Sequence, residues 1–478
     1  MNQAGNVKKN IVLQTLYQVL NTCLPLITAP YLARVLGTDQ LGVFSYTTAN
    51  VSYFSLLAML GIVNYGTRVI AANKNNIELR SQIIGEVFCI QLISSLFSIV
   101  LYVSYYFAFA SANKTIVLIQ GLEVLSCIFN IAWIFFGFED FGITIKRSIV
   151  IRIITVVLII LLVHNPSDLW IYCLLMQGGT FLSRVYLWFF VRKRVGKRIE
   201  LKWNPAHIKP ILALFIPLLA MSIYHLMDKT MLGMLSSDAQ SGYYYNSDKI
   251  INIPIGILTG FGTVLLPRIT ALVSEGKKEE ADKLFLKSIE MIMFSSVAVA
   301  VGIASIAEEF VPVFFGGGYD ECVNLIKYLA PVLIIKGLSL IIRSEYLVPR
   351  NKDLSYIKSV VSGALVNLVI NVLLIPRYGA LGAAVGTLVA EITACMWQYL
   401  DIRKELNCFP QIAKGLAYVI ISLIMFIGVR IISRITREFG TIIQLVIEII
   451  IGAILYIVIC YIYWKVSKND MMEYIRRK

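Results

Sequence analysis

The residues of this 478-residue chain that could do chemistry are ionisable side chains set in otherwise apolar stretches. The densest group is His225, Asp228 and Lys229, followed by Asp248 and Lys249, with Asn246 and Asn252 beside them. His225 and Asp228 are spaced i, i+3, so on a helix they share a face. Lysines in such a setting grip anions, phosphate above all, through charge-assisted hydrogen bonds. A histidine next to a carboxylate can carry a proton or help hold a coupling ion. Arg34, Glu123, Arg184, Lys327, Lys336 and Glu391 are the other charges in apolar surroundings. Two readings of the set compete: structural ion pairs with side chains reaching for an interface, or the lining of a hydrophilic cavity.

Other chemistries find no residues. The eight cysteines are dispersed without C-x-x-C, seven of them in apolar stretches, and none of the three histidines has metal-ligand spacing. A nucleotide-binding P-loop is absent, so ATP is not the direct fuel. Hydrophobic residues make up 58% of the chain and charged residues 15%, against a formal net charge of +14. A soluble exterior cannot absorb that much apolar surface. Soluble enzymes, disordered chains and nucleic-acid-binding domains are thereby excluded.

The elements that must position these charges are membrane helices. A bilayer core requires about 20 apolar residues per helix. That length gives about fourteen segments: 11–34, 42–64, 83–108, 116–138, 148–163, 169–190, 211–234, 243–266, 288–307, 322–343, 356–375, 380–401, 413–433 and 441–464. The first follows Lys8 and Lys9 but is too long for a signal sequence, and reads as an uncleaved helix. With the N-terminus inside, 32 of the 43 Lys and Arg fall on inside segments, 6 on outside ones and 5 within the membrane. This positive-inside split predicts cytoplasmic termini, and accounts for most of the net charge without an anionic partner.

The chain reads as two related halves. The basic stretch 191–210 is the expected linker between a six-helix bundle over 1–190 and a second over 211–404, with 405–478 adding two helices and a tail. Arg34–Tyr46 (RVLGTDQLGVFSY) is echoed by Met231–Tyr245 (MLGMLSSDAQSGYYY), and Gly66–Ala71 (GTRVIA) by Leu266–Ala271 (LPRITA). Gly42 to Arg68 and Gly242 to Arg268 are both 26 residues. Parallel repeats of this kind place substrate at their interface. The stretch 274–290 reads as an amphipathic helix leading into segment nine, and the longest outside stretch is about Glu308–Glu321.

Depth and phase refine the candidates. Asp228 lies roughly 25 Å from the cytoplasmic end of its helix, in the outer part of the bilayer, with Asp248 and Lys249 at a similar depth. Lys327 and Lys336 are nine residues apart, on opposite helix faces unless Pro331 kinks the helix, so at most one should face a shared lumen. Arg184 is expected to snorkel to the cytoplasmic interface. Glu391 is expected to be protonated or satisfied by a neighbour, beside small residues suited to close packing. Pro25, Pro30, Pro217 and Pro254 fall inside segments and permit bending.

Four stretches are recognisable: Arg34–Gly42 (RVLGTDQLG), Asn64–Ala71 (NYGTRVIA), Gly242–Ile250 with Val264–Thr270 (GYYYNSDKI and VLLPRIT), and Ile375–Glu391 (IPRYGALGAAVGTLVAE). With them the chain resembles the polysaccharide-transport family, the Wzx-type flippases. These lie within the multidrug/oligosaccharidyl-lipid/polysaccharide exporter superfamily. The resemblance runs from about Leu13 to about Lys404. It implies an all-α polytopic fold of two six-helix bundles in a V with two added helices, and alternating access. The implied cargo is an undecaprenyl-diphosphate-linked oligosaccharide turned from the cytoplasmic to the outer face of a bacterial plasma membrane. A cavity role carries over to Arg34, Asp228, Lys229, Asp248 and Lys249.

The expected function is therefore a non-enzymatic flippase serving capsule, O-antigen or other surface polysaccharide. Lys229, Lys249 and Arg34 would contact the diphosphate. His225, Asp228, Asp248 and Glu391 would serve as coupling groups or charge pairs. No cofactor is expected beyond a coupling H+ or Na+, and no nucleic acid. Expected partners are the lipid-linked glycan, membrane lipid, and the polymerase and glycosyltransferases of the pathway. The alternative is an ion-coupled multidrug exporter of the same superfamily, in which carboxylates would dominate the cavity. A membrane-embedded glycan polymerase would be expected to carry a large catalytic outside loop.

Overall fold

A computed structural model describes residues 3–109, 113–196 and 199–467. Among these, every regular element is helical: α1 (Gln3–Met59), α2 (Ile62–Ala72), α3 (Ile77–Phe109), α4 (Lys114–Ser126), α5 (Ala132–Gly137), α6 (Phe141–Leu162), α7 (Leu169–Tyr186) and α8 (Trp188–Val195), then α9 (Ile208–Leu235), α10 (Asp238–Ser274), α11 (Lys278–Phe315), α12 (Asp320–Ile341), α13 (Asp353–Tyr378), α14 (Ala380–Ile402), α15 (Phe409–Ile435) and α16 (Thr441–Val466). Lipid offers backbone groups no hydrogen bonds, so a chain this apolar closes its own as helix. Nine of the described helices are individually long and apolar enough to cross a bilayer.

Most expected segments correspond to one helix, and the departures have identifiable causes. α1 holds the first two segments, broken at Gly37 (φ 77°, ψ 177°), a conformation that only glycine adopts readily. The expected span 116–138 is interrupted between α4 and α5. Gln91 Nε2 caps the break by donating to the Cys127 and Asn130 carbonyls (2.8 and 3.1 Å), while its Oε1 accepts from Trp133 Nε1 at 2.9 Å. The amphipathic stretch before segment nine continues into the span as one helix, α11. The expected outside stretch Glu308–Glu321 is helical as far as Phe315, which leaves only a short turn before α12.

The chain groups into two compact units, Met1–Gly242 and Tyr243–Lys478. In the first, Ile62, Ile84, Trp133, Leu187 and Ile211 belong to one buried core. α9 packs along α1 and the turn that follows it. A Cβ on Gly233 would sit 2.2 Å from the Tyr46 ring, and one on Gly61 2.3 Å from the Ile211 carbonyl oxygen. The echoed glycines meet the same way: a Cβ on Gly42 would lie 1.8 Å from the Asp238 carbonyl oxygen, and one on Gly242 1.9 Å from that of Thr38.

In the second unit, α15 and α16 join a core containing Phe285, Ile289, Tyr346, Tyr418 and Tyr456. They are also tied by charge. Arg430 on α15 reaches Glu309 of α11 at 3.0 Å and also pairs with Glu308. Ser433 Oγ donates to Glu309 at 2.6 Å, and Gln444 of α16 bonds both Ser433 and Glu448 at 3.1 Å. α13 and α14 form a close antiparallel pair, with Gly363 against the Ala390 carbonyl and Gly386 against Asn371.

Candidate functional site

The sequence candidates divide between the two units. Arg34, His225, Asp228 and Lys229 belong to the first; Asp248, Lys249 and Glu391 belong to the second. Arg34 is exposed on α1, three residues before the Gly37 break. On α9, His225 is exposed and stacks edge-on with Tyr224 (centroids 5.4 Å apart). Asp228, one turn on, is buried, and Lys229 is half-buried. Asp228 falls on the buried stripe of α9, with Met227, Met231 and Leu232, and His225 falls off it.

On α10, Asp248 and Lys249 are each engaged by a residue one turn away. Asn252 Nδ2 donates to Asp248 Oδ1 at 2.6 Å. Lys249 Nζ donates to the Tyr245 hydroxyl at 3.3 Å and lies 4.9 Å from the centre of its ring. The spacing i, i+4 makes both contacts possible without help from another helix. Lys249 Nζ thus sits beside an aromatic face, an arrangement that orients an ammonium.

Glu391 is satisfied by a neighbour, the second of its two expected states. Its Oε1 lies 3.3 Å from Lys336 Nζ, pairing α14 with α12. Lys327, on the opposite face of α12, bonds Glu308 at 2.6 Å, so the two lysines do point to different neighbours.

Arg184 departs from expectation. It does not snorkel: its Nη2 bonds Glu123 at 2.7 Å, and its Nη1 reaches the Glu123 carbonyl at 3.2 Å and the Ser126 hydroxyl. The broken end of α4 offers a carboxylate, a carbonyl and a hydroxyl together, and a guanidinium with five donors can engage all three.

Several buried polar groups escaped a search for charges in apolar runs. Glu86 accepts from Gln82 (2.8 Å) and Asn204 (2.9 Å) and bonds His207 Nε2 at 2.8 Å, while His207 Nδ1 lies 2.5 Å from the Tyr65 hydroxyl. This cluster fastens the end of the basic linker to α2 and α3. Asn371 Nδ2 donates to Asn367 Oδ1 at 3.1 Å, and Thr387 bonds Tyr244 at 2.8 Å. The signal for this neutral set was present as two asparagines spaced i, i+4 in an apolar run. Glu345 is fully buried in a π-helical turn, Ile342–Leu347, which follows α12. Beyond the spans, Glu405 is held below the usual carboxylate range, first by its hydrogen bond from Lys352 at 2.5 Å and further by Tyr346 at 3.0 Å, with burial opposing. Among the described residues, no three His, Cys, Asp or Glu side chains converge as a metal site.

Comparison with known proteins bears on the family and the fold. Residues 7–273 match the family described as polysaccharide biosynthesis protein. A Shigella dysenteriae protein named "Putative O-antigen transporter" is 24% identical over 408 residues, which is 83% of this chain and 100% of that protein. The lipid II flippase of Bacillus subtilis is 26% identical over 190 residues, 39% of this chain and 35% of its own. Among solved structures, a lipid II flippase in an inward closed conformation superposes with a TM-score of 0.75 at 15% identity, covering 95% of this chain and 99% of that one. An inward-facing multidrug transporter gives 0.62 at 14% identity, covering 80% and 95%. These two structures share the fold of this chain.

Proposed function

Since the chain belongs to the polysaccharide biosynthesis protein family, a family of membrane transporters within the multidrug/oligosaccharidyl-lipid/polysaccharide exporter superfamily, we propose that it is a lipid-linked glycan flippase. Its cargo is an undecaprenyl-diphosphate-linked repeat unit, carried from the cytoplasmic to the outer face of a bacterial plasma membrane. Both termini are cytoplasmic, and two six-helix bundles alternate in access. The reaction makes and breaks no covalent bond.

The observation that carries this reading is two half-buried lysines: Lys229 in α9, which is apolar enough to span a bilayer, and Lys249 in α10, which meets that test as two helical stretches taken together across a bend. Placing an ammonium at such depth costs on the order of 2.5–3.5 kcal/mol even on the lenient insertion scale. Lysines kept at that depth can grip an anionic cargo group, and a diphosphate offers more than one charge. Arg34, exposed before the Gly37 break, adds a third cation. Asp228 and His225 on α9, with Asp248 on α10, supply the groups that can exchange a coupling H+ or Na+. Glu391 acts as a charge pair with Lys336. The names of the relatives support the same cargo class.

The test is Lys229→Ala combined with Lys249→Ala in a strain that depends on this chain for surface polysaccharide. The expected result is loss of surface polysaccharide at unchanged protein level in the membrane. Normal polysaccharide would overturn the assigned cargo contacts. If deletion of the chain left polysaccharide intact and instead sensitised the cell to drugs, the multidrug-exporter reading would replace this one.

A further inference from the structure

A second cationic site lies away from these residues, at the end of the α13–α14 pair opposite its Gly379 turn. A cleft of about 790 Å³ opens there. α13 contributes Leu354, Ser355 and Lys358, and α14 contributes Trp397, Leu400 and Asp401. Leu354 and Lys358 are one turn apart, as are Trp397 and Asp401, so each helix turns a single face to the cleft. Arg403 and Lys404 close the rim where α14 ends, with Lys352 across from them.

The four cations are not equally committed. Lys352 bonds Glu405 at 2.5 Å, and Lys404 lies 3.9 Å from Asp401. Lys358 and Arg403 are exposed, and among the described residues neither has a carboxylate partner. The wall beneath them is apolar and open: Trp397 is 44% and Leu354 71% exposed.

We infer that this cleft binds an anionic phospholipid by its phosphate. Lys358 and Arg403 take the phosphate oxygens, and Trp397, Leu400 and Leu354 line the path of the acyl chains. The shared chemistry is a phosphate held by two uncommitted cations, and the exposed apolar wall selects a phosphate that carries lipid. Basic pockets between helices on the cytoplasmic side of a membrane recognise acidic head groups in this way. That siding rests on the orientation proposed above. Lysines and arginines gather on the inside of any membrane protein, but orientation alone calls for neither a cleft nor an indole at its wall.

The experiment uses the purified full chain in neutral detergent, so its outcome does not depend on orientation or on cargo. Phosphatidylglycerol is titrated against the protein and bound lipid is counted by native mass spectrometry. Parallel arms use phosphatidylcholine, inorganic diphosphate and a polyprenyl diphosphate. Phosphatidylglycerol should bind saturably, and phosphatidylcholine at least ten-fold more weakly. Lys358→Ala with Arg403→Ala should weaken phosphatidylglycerol binding about thirty-fold, from two lost phosphate contacts. Lys202→Ala with Lys209→Ala, which removes equal charge from the basic linker, should change it less than two-fold. In the unaltered chain, bound phosphatidylglycerol should also protect the Lys358 amine from acetylation, a readout that needs no variant. The inference is overturned if phosphatidylcholine binds equally, if the cleft variant binds as the parent does, or if Lys358 gains no protection. Protection by inorganic diphosphate alone would make this a free-phosphate site. Preference for the polyprenyl diphosphate would make it a cargo site.

Discussion

The Lys336–Glu391 pair allows a quantitative test of whether an intramembrane charge is structural. Its atoms are 3.3 Å apart, with the side chains 18% and 7% exposed. At an effective dielectric of about 20, Coulomb attraction at that distance is about 5 kcal/mol. Removing each ion from water costs several kcal/mol, so the intact pair is worth little more than two well-packed apolar side chains. Breaking it is different, because the survivor keeps the burial penalty and loses the attraction. Lys336→Met and Glu391→Met should therefore each destabilise the chain by about 3–5 kcal/mol. The double variant should lie within about 1 kcal/mol of the parent, a strongly non-additive cycle. Denaturant titration of the purified chain, followed by tryptophan fluorescence, measures all four corners. The double variant should also keep surface polysaccharide if the pair serves only to hold α12 to α14. Additive single and double losses would refute the pairing. A stable double variant that no longer supports polysaccharide would give Glu391 a coupling role instead.

Two further predictions concern backbone contact and pH. Gly42→Ala places a methyl 1.8 Å from a backbone carbonyl that cannot rotate away, so the backbone segments at Gly42 and Asp238 must separate. A loss of about 1–3 kcal/mol is expected in thermal unfolding, and an unchanged melt would show that this contact is not maintained in solution. Glu405 has a depressed folded-state pKa. Its bond with Lys352 therefore contributes stability that is present above the unfolded carboxylate value of about 4.3 and lost as pH falls through the lower folded value. The carboxylate is 53% exposed, so the contribution is at most about 1 kcal/mol. Melts of the parent and Lys352→Met should converge in acid and differ at neutral pH; a constant gap would remove Glu405 from the account.

The spans were readable because lipid imposes one demand on every residue in a crossing helix, and that demand shows as a continuous apolar run. The breaks were less readable. The interruption between α4 and α5 depends on Gln91, which supplies hydrogen bonds from a different helix, and nothing local in 116–138 announces it. Arg184 was misplaced for the same reason: its partner Glu123 stands 61 residues away, and spacing along one helix cannot reveal it. Lys336 and Glu391 were each legible as anomalies, but their pairing was not. The amphipathic stretch merged into α11 because its helical phase runs on into the span without a capping residue or a proline to stop it. The Asn367–Asn371 and Glu86–His207 clusters were missed by attending to charges within apolar runs, since the first is neutral and the second sits where the linker meets its helices.

The contact between the echoed glycines has a further consequence. Gly42 abuts the carbonyl four residues before Gly242, and Gly242 abuts the carbonyl four residues before Gly42. Within one chain this is an isologous seam, the self-complementary geometry ordinarily found across the two-fold axis of a dimer. Both clashes created by added methyls are relieved by the same separation of the same two segments. Gly42→Ala and Gly242→Ala should therefore be sub-additive: the first substitution opens the seam, and the second enters a gap already made.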